Sequence, residues 1–324
     1  MYPDRRAILG LAAAAALSAV PRRAWAQAYP SRPVRWIVGF TPGGGNDIVA
    51  RLMGQWLQER LGQPFVIENR PGAASNIATD VVANAAADGY TLLLANFSNG
   101  ANATLYKNLR FDFMRDFAPV AGIMRVPNVI LVNPSVPAST IPEFIAYAKG
   151  NPHKITMASA GIGSTGHLAQ ELLKMLTGIE TVHVPYRGNG PALTDLLGGQ
   201  VQALIASLPS AIEYIKAGKV RGLAVTTAMR ADTLPELAAG AEFVPGYEVS
   251  SWYGIAVPRK TPADAIDRLN REVNAGLADP KMKAKLAEQG GMTMPGTPAE
   301  FARLIADETE KWGKVIRAAD IKAE

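Results

Sequence analysis

The stretch VRWIVGFTPGGGNDIVARLM, Val34 to Met53, sets an apolar run against three consecutive glycines and then a helical pattern. Val34 to Phe40 is short, apolar and bounded by glycine, which predicts a buried strand. From about Asp47 onward, Val49, Leu52, Met53, Trp56 and Leu57 fall on one stripe of a helix. Strand, glycine-rich turn and helix together open a parallel α/β unit.

The alternation continues. PFVIEN (Pro64 to Asn69) and YTLLLAN (Tyr90 to Asn96) predict two further strands, with a helix carrying Ile77, Val81 and Val82 between them. APVAGIMRVPNVILVNP (Ala118 to Pro134) holds Pro127 at its middle, where a central strand has no place for it. Two strands meeting at a joint are expected there. Thr140 and Glu143 then predict a capped helix, followed by a strand at KITMAS. SAGIGSTGHL (Ser159 to Leu168) forms a second Gly/Ser loop, and Leu168, Leu172, Met175 and Leu176 mark the helix beyond it. TVHVPY, VQALIAS, VRGLAVTT and SWYGIAVP predict four more strands. The tail reads as helix, with near-identical starts at Thr261–Asp264 and Thr297–Glu300, each a cap, a proline and an acid. Two α/β units around a joint fit this order. A single doubly wound sheet fits the periodicities as well.

The chain has 324 residues, 48% hydrophobic and 19% charged, enough for one large or two medium domains. It contains no cysteine, which excludes a thiol nucleophile, a disulfide framework and a thiolate zinc site. Arg5 and Arg6 precede an apolar run from Ala7 to Val20, and the small-x-small triplet Ala24–Ala26 follows. That order predicts a signal peptide over residues 1–26, twin-arginine-like with ordinary secretion as the alternative, cleaved after Ala26. Its loss takes four arginines and one aspartate and lowers the formal charge from +5 to +2. No basic cluster is left to suggest nucleic acid. A soluble periplasmic product is expected.

Three readings compete for the glycine loops. A Walker loop requires a lysine and a hydroxyl after its glycines, but Asn46 follows Gly43, Gly44 and Gly45. The dinucleotide fingerprint fails at its third glycine, and Asp47 would repel a pyrophosphate. Ser164, in Ile162–Gly166, lacks the first glycine of a nucleophile elbow. His167 lies only three residues on, whereas a serine and its base usually come from separate loops. His153, His167 and His183 contain no metal-spaced pair. An anion other than phosphate remains. Each loop follows a strand and opens a helix, where unpaired N–H groups and the positive dipole end favour a carboxylate.

These residues resemble the Bug family, the solute-binding proteins of tripartite tricarboxylate transporters. The likeness extends from YPSRPVRWIVGFTPGGGNDIVAR through ENRPGA, ADGYTLLLAN, LRFDFMRDFAPV, SAGIGSTGHLAQELL and HVPYRGNGPALTDLLGGQV. It continues through IKAGKVRGLAVTT and SWYGIAVPRKTP to EKWGKVI, so it covers essentially the whole chain after the signal. The resemblance implies a type II periplasmic-binding-protein fold, an α/β architecture of two lobes joined by two hinge crossings that shut like a flytrap. Residues 27–125 with 251–324 would form one lobe and 126–250 the other. It also implies a small carboxylate as cargo and a membrane permease as partner, with no enzyme activity, no cofactor or metal, no nucleic acid and a monomeric state. The ligand would be held by Phe40, Thr41, Pro42, Gly43, Gly44, Gly45 and Asp47 of the first loop. Ser159, Gly163, Ser164, Thr165 and His167 would contribute from the second. Asn96, Tyr186 and Ser207 would lie on neighbouring strand ends, Trp252 near the second crossing, and Asn76, in a turn that departs from the family pattern, would face the cleft.

Asn46 stands where the family more often has a small residue, and GAASN replaces a more glycine-rich turn. Both changes bear on the pocket. Dicarboxylates, tricarboxylates, acidic amino acids and aromatic acids stay open as ligands. An exported hydrolase using Ser164 and an adaptor for a membrane sensor kinase are the alternative functions.

Overall fold

In a computed structural model the described residues are 29–323. The signal peptide expected over residues 1–26 lies outside them. β1 (Val34–Val38) leads through the glycine loop into α1 (Gly45–Leu61), and β2 (Phe65–Asn69) pairs parallel to β1. α2 (Asn76–Ala83) returns the chain to β3 (Thr91–Asn96), parallel to β1 on its other side. α3 (Phe97–Leu105) and the one-turn α4 (Phe113–Asp116) precede β4 (Phe117–Val132). The second unit runs α5 (Ile141–Gly150), β5 (Thr156–Ser159), α6 (Thr165–Thr177), β6 (Val182–Pro185) and α7 (Asn189–Leu197). It continues with β7 (Ala203–Ser207), α8 (Leu208–Lys216), β8 (Arg221–Val225) and the short β9 (Ala238–Ala239). β10 (Ser250–Pro258) carries the chain back, and α9 (Ala263–Ala278), α10 (Pro280–Glu288), β11 (Met292–Thr293) and α11 (Pro298–Ala318) close it.

The strand order resolves the choice left open by periodicity. One lobe has the order β2-β1-β3-β10-β4, and the other has β6-β5-β7-β4-β8. Each is a parallel trio with an antiparallel strand from a crossing segment inserted beside its third strand. The lobes therefore repeat one plan and share β4. The expectation of two strands between Ala118 and Pro134 is corrected: β4 is a single strand of 16 residues that changes partners. Up to Pro127 it pairs with β10; from Asn128 it pairs with β7, and β8 joins at Val129. The proline's missing N–H thus falls where one ladder ends and the next begins.

Three local expectations also change. Ile77 and Val81 are exposed, and only Val82 of that trio is buried. Met175 and Leu176 are likewise exposed at the end of α6. The two similar helix starts differ. Thr297 and Glu300 form a reciprocal capping box on α11, whereas α9 has no side-chain cap and the buried Thr261 Oγ1 has no partner. Thr297→Ala is therefore expected to lower stability by about 1 kcal/mol, whereas Thr261→Val leaves it level or raises it slightly. Urea titration of both variants checks the contrast.

The tail braces the site. α11 packs on α3 and β4, with Trp312 edge-on to Phe97 at 4.9 Å between ring centroids. Glu308 accepts hydrogen bonds from Trp312 Nε1 at 3.0 Å and from Arg125 at 2.9 Å. Phe97 opens α3 and so is held from behind. No helix among the described residues is long and apolar enough to cross a membrane. None of them forms a group of three metal-ligating side chains.

Candidate carboxylate-binding cleft

In open α/β sheets, ligands bind beyond the carboxyl ends of the strands. Here two such sheets place those ends face to face. The first loop enters α1 at Gly44, which caps the helix without a side chain. Gly43 takes a left-handed φ of 77° and donates its N–H to Asp47 Oδ2 at 3.0 Å, turning the loop back onto the helix. The second loop enters α6 at Ser164, whose Oγ accepts from the His167 N–H at 3.3 Å.

Between them lies an inner chamber of about 30 Å³. Gly44 and Asn46 line it from α1, Phe97 and Ser98 from α3, and Ser164 to Gly166 from α6. Asn189 begins α7, and Ser207 caps α8. Five helix starts thus converge on one small space, and no charged side chain lines it. Asn128 reaches the chamber from β4, and Ser251 and Tyr253 from β10. The Ser251 hydroxyl lies 3.2 Å from Asn128 Oδ1 and 3.0 Å from Thr165 Oγ1, and Asn128 Nδ2 is buried without a partner. Asn46 Oδ1 is buried and unpartnered as well. Burial pushes the Tyr253 phenol up to about 12, against opposing hydrogen bonds from Ser207 and Ser251, so it stays protonated. The chamber therefore offers helix dipoles and the free Asn128 N–H, beside one free acceptor, Asn46 Oδ1. The dipoles and that N–H stabilise one negative charge without a counter-ion.

An outer chamber of about 180 Å³ adjoins it, with Phe40 and Ala160 in both walls. The lobes touch across the cleft here. Tyr106 OH of one lobe donates to the Ile162 carbonyl of the other at 3.0 Å, and Thr41 packs on Gly188.

A family model described as the tripartite tricarboxylate transporter family receptor matches residues 49–321. The chain belongs to this receptor family. It is 38% identical to the UPF0065 protein in the tcbD-tcbE intergenic region of Pseudomonas sp. strain P51, over 96% of this chain and 93% of that one. The solved structure of R. palustris Rpa4515 with adipate is 40% identical with a TM-score of 0.89, covering 91% of this chain and 99% of that one. The periplasmic binding protein BugD is 34% identical with a TM-score of 0.88, over 91% and 99%. The fold is thus the two-lobed solute-binding fold.

Of the residues expected to hold the ligand, Phe40, Gly44, Asn96, Ser164, Thr165 and Ser207 line the inner chamber, and Tyr186 lines the outer one. Gly45 lies against Ser207 and Tyr253. Thr41 and Pro42 face Gly188 and Gly190 across the cleft, and Gly163 packs on Asn102 and Leu105. Four expected contacts point elsewhere. Asp47 turns inward, bound by the Gly43 N–H, Arg51 and Asn69, and serves as a staple for the loop. Burial would raise its pKa, but those hydrogen bonds outweigh it and hold the carboxyl below its usual value. Asn76 accepts from Asn102 Nδ2 at 2.8 Å. Ser159 Oγ is tied to His183 Nε2 at 2.7 Å and to the Gly161 N–H. His167 Nδ1 accepts from the Gly163 N–H. Ser164 thus acts as the cap of α6, and among the described residues its Oγ bonds the His167 backbone N–H rather than a histidine ring.

Asn128, Asn189, Ser251 and Tyr253 were absent from the expected set. Asn128 had a signal: apart from Arg125, it is the polar side chain in the run from Ala118 to Val132.

The second loop rests on a stacked pair, His167 and His183, with ring centroids 4.3 Å apart. Burial first, then His183 and Lys174, pulls His167 down to about 3. Burial and Lys174 pull His183 down to about 4. Both rings are neutral when folded, whereas unfolded histidines protonate near 6.5. As pH falls below 6.5 the unfolded chain binds protons that the folded chain refuses, so stability drops. From pH 7 to 5.5 the expected loss is about 2–3 kcal/mol for the two rings together. Urea midpoints at the two pH values test this, and a His167→Gln/His183→Gln double variant should flatten the difference.

Proposed function

We propose that this chain is an exported, periplasmic receptor that takes one small carboxylate into the cleft and hands it to a tripartite tricarboxylate-type permease. The two lobes would divide as residues 27–125 with 251–324, and 126–250, and the receptor would act as a monomer. The observation that carries the reading is the inner chamber. Five helix starts and the unpartnered Asn128 amide face a space with no charged wall. A buried donor with no acceptor costs free energy that a carboxylate oxygen recovers. The adipate seen with Rpa4515, at 40% identity, supports a ligand of this class. Binding from both lobes favours the shut arrangement over the open one, as a hinge closure requires.

A thermal-shift screen of carboxylic acids tests it. A bound acid at a hundred times its Kd adds about 2.7 kcal/mol of stability, read as a rise of several degrees. A flat response to mono-, di- and tricarboxylates would contradict the proposal.

A further inference from the structure

We infer that the preferred cargo is an elongated dicarboxylate with an unhydroxylated middle, and that Arg187 selects for its far carboxylate. The inference rests on the reading of the inner chamber just given. That chamber, at about 30 Å³, has room for about two water-sized groups. It takes a carboxylate head and nothing more, so the body of the ligand extends past Phe40 and Ala160 into the outer chamber.

The outer chamber is walled mainly by side chains without free polar groups. Phe40, Ile162 and Pro185 present hydrocarbon. The two tyrosines there have their hydroxyls engaged elsewhere, Tyr106 on the Ile162 carbonyl and Tyr186 on Asp195 at 2.6 Å. They offer ring rather than hydroxyl to the ligand. A hydroxyl on the middle of the ligand would lose water there and, short of Arg187, meet no side-chain donor that is not already engaged. Arg187 is the one charged residue lining the outer chamber. It is exposed and has no hydrogen bond or ion pair among the described residues. A guanidinium left free at the end of an apolar slot matches a second carboxylate, which it can grip with two N–H groups.

Calorimetric titration of the purified protein with adipate, hexanoate, succinate and tartrate tests the inference. Adipate should bind at least tenfold tighter than hexanoate, and succinate at least fivefold tighter than tartrate. Arg187→Gln should remove the preference for adipate while leaving the hexanoate Kd within about twofold, a split that general destabilisation would not produce. Equal affinity for adipate and hexanoate, tighter binding of tartrate, or a preference that survives Arg187→Gln would overturn the inference and leave the carboxylate reading intact. If none of the four acids binds, the inner-chamber reading falls and this inference with it.

Discussion

Asn128→Asp should weaken carboxylate binding a hundredfold or more at pH 7.5 while leaving the empty protein folded. The exchange keeps the side chain's shape and keeps an oxygen to accept from Ser251. It replaces the buried, unpartnered Nδ2 donor with a second acceptor. A hydrogen bond to a charged group, about 1.5–3 kcal/mol, is lost. Two carboxylates are then set together in a dry chamber, where repulsion at 4 Å reaches about 4 kcal/mol at an effective dielectric of 20. Part of this is relieved if the new acid takes a proton, so binding should recover as pH falls toward 5. Calorimetric titration at both pH values, with circular dichroism to confirm the fold, decides the matter. A Kd within threefold of the parent would mean that the amide does not face the ligand.

Gly45→Ala should separate stability from binding. Gly45 is the first residue of α1, where alanine is favoured over glycine by up to about 1 kcal/mol. Yet a Cβ there would lie 2.6 Å from Ser207 Oγ, in the opposite lobe, and 2.7 Å from Tyr253 OH. Crowding of this kind costs about 1–3 kcal/mol, and the Ser207 part of it is felt only when the lobes meet. The contact with Tyr253, in the same lobe, offsets the helix gain, so the expected result is an unchanged or slightly lower unfolding midpoint together with a ten- to hundredfold loss of affinity. Small-angle scattering should show that the radius no longer contracts when ligand is added. Unaltered affinity and contraction would show that α1 does not approach Ser207 in the bound state.

The parts of the site legible in the sequence were those where backbone does the work. Three consecutive glycines at a strand–helix turn, and the Gly/Ser turn opening α6, declare themselves because few residues permit such close approach. The repeated βα order pointed to parallel sheet, whereas its division into one trio per lobe is visible only in the strand order. The rest depends on long-range geometry. α3 went unread because its residues, FSNGANATL, are largely polar and weak helix formers. Its start is instead specified by the reciprocal Asn96–Asn99 cap and its packing by Trp312 of α11. Pro127 suggested a break in the chain, whereas the break is in the partners of an unbroken strand. Asp47 and His167 are placed by spacing at the loops, but spacing does not say which way a side chain turns. Asp47 is drawn inward by Asn69, 22 residues away. Ser251 and Tyr253 reach the chamber only because β10 is inserted between β3 and β4, more than 120 residues upstream.

The central claim is that helix starts from both lobes hold one carboxylate around the Asn128 amide. A crystal structure of the protein grown with adipate tests this most directly. One carboxylate should lie in the inner chamber, within hydrogen-bond distance of Asn128 Nδ2 and of backbone N–H groups at the starts of both α1 and α6. Adipate bound outside that chamber, or touching only one lobe, would contradict it.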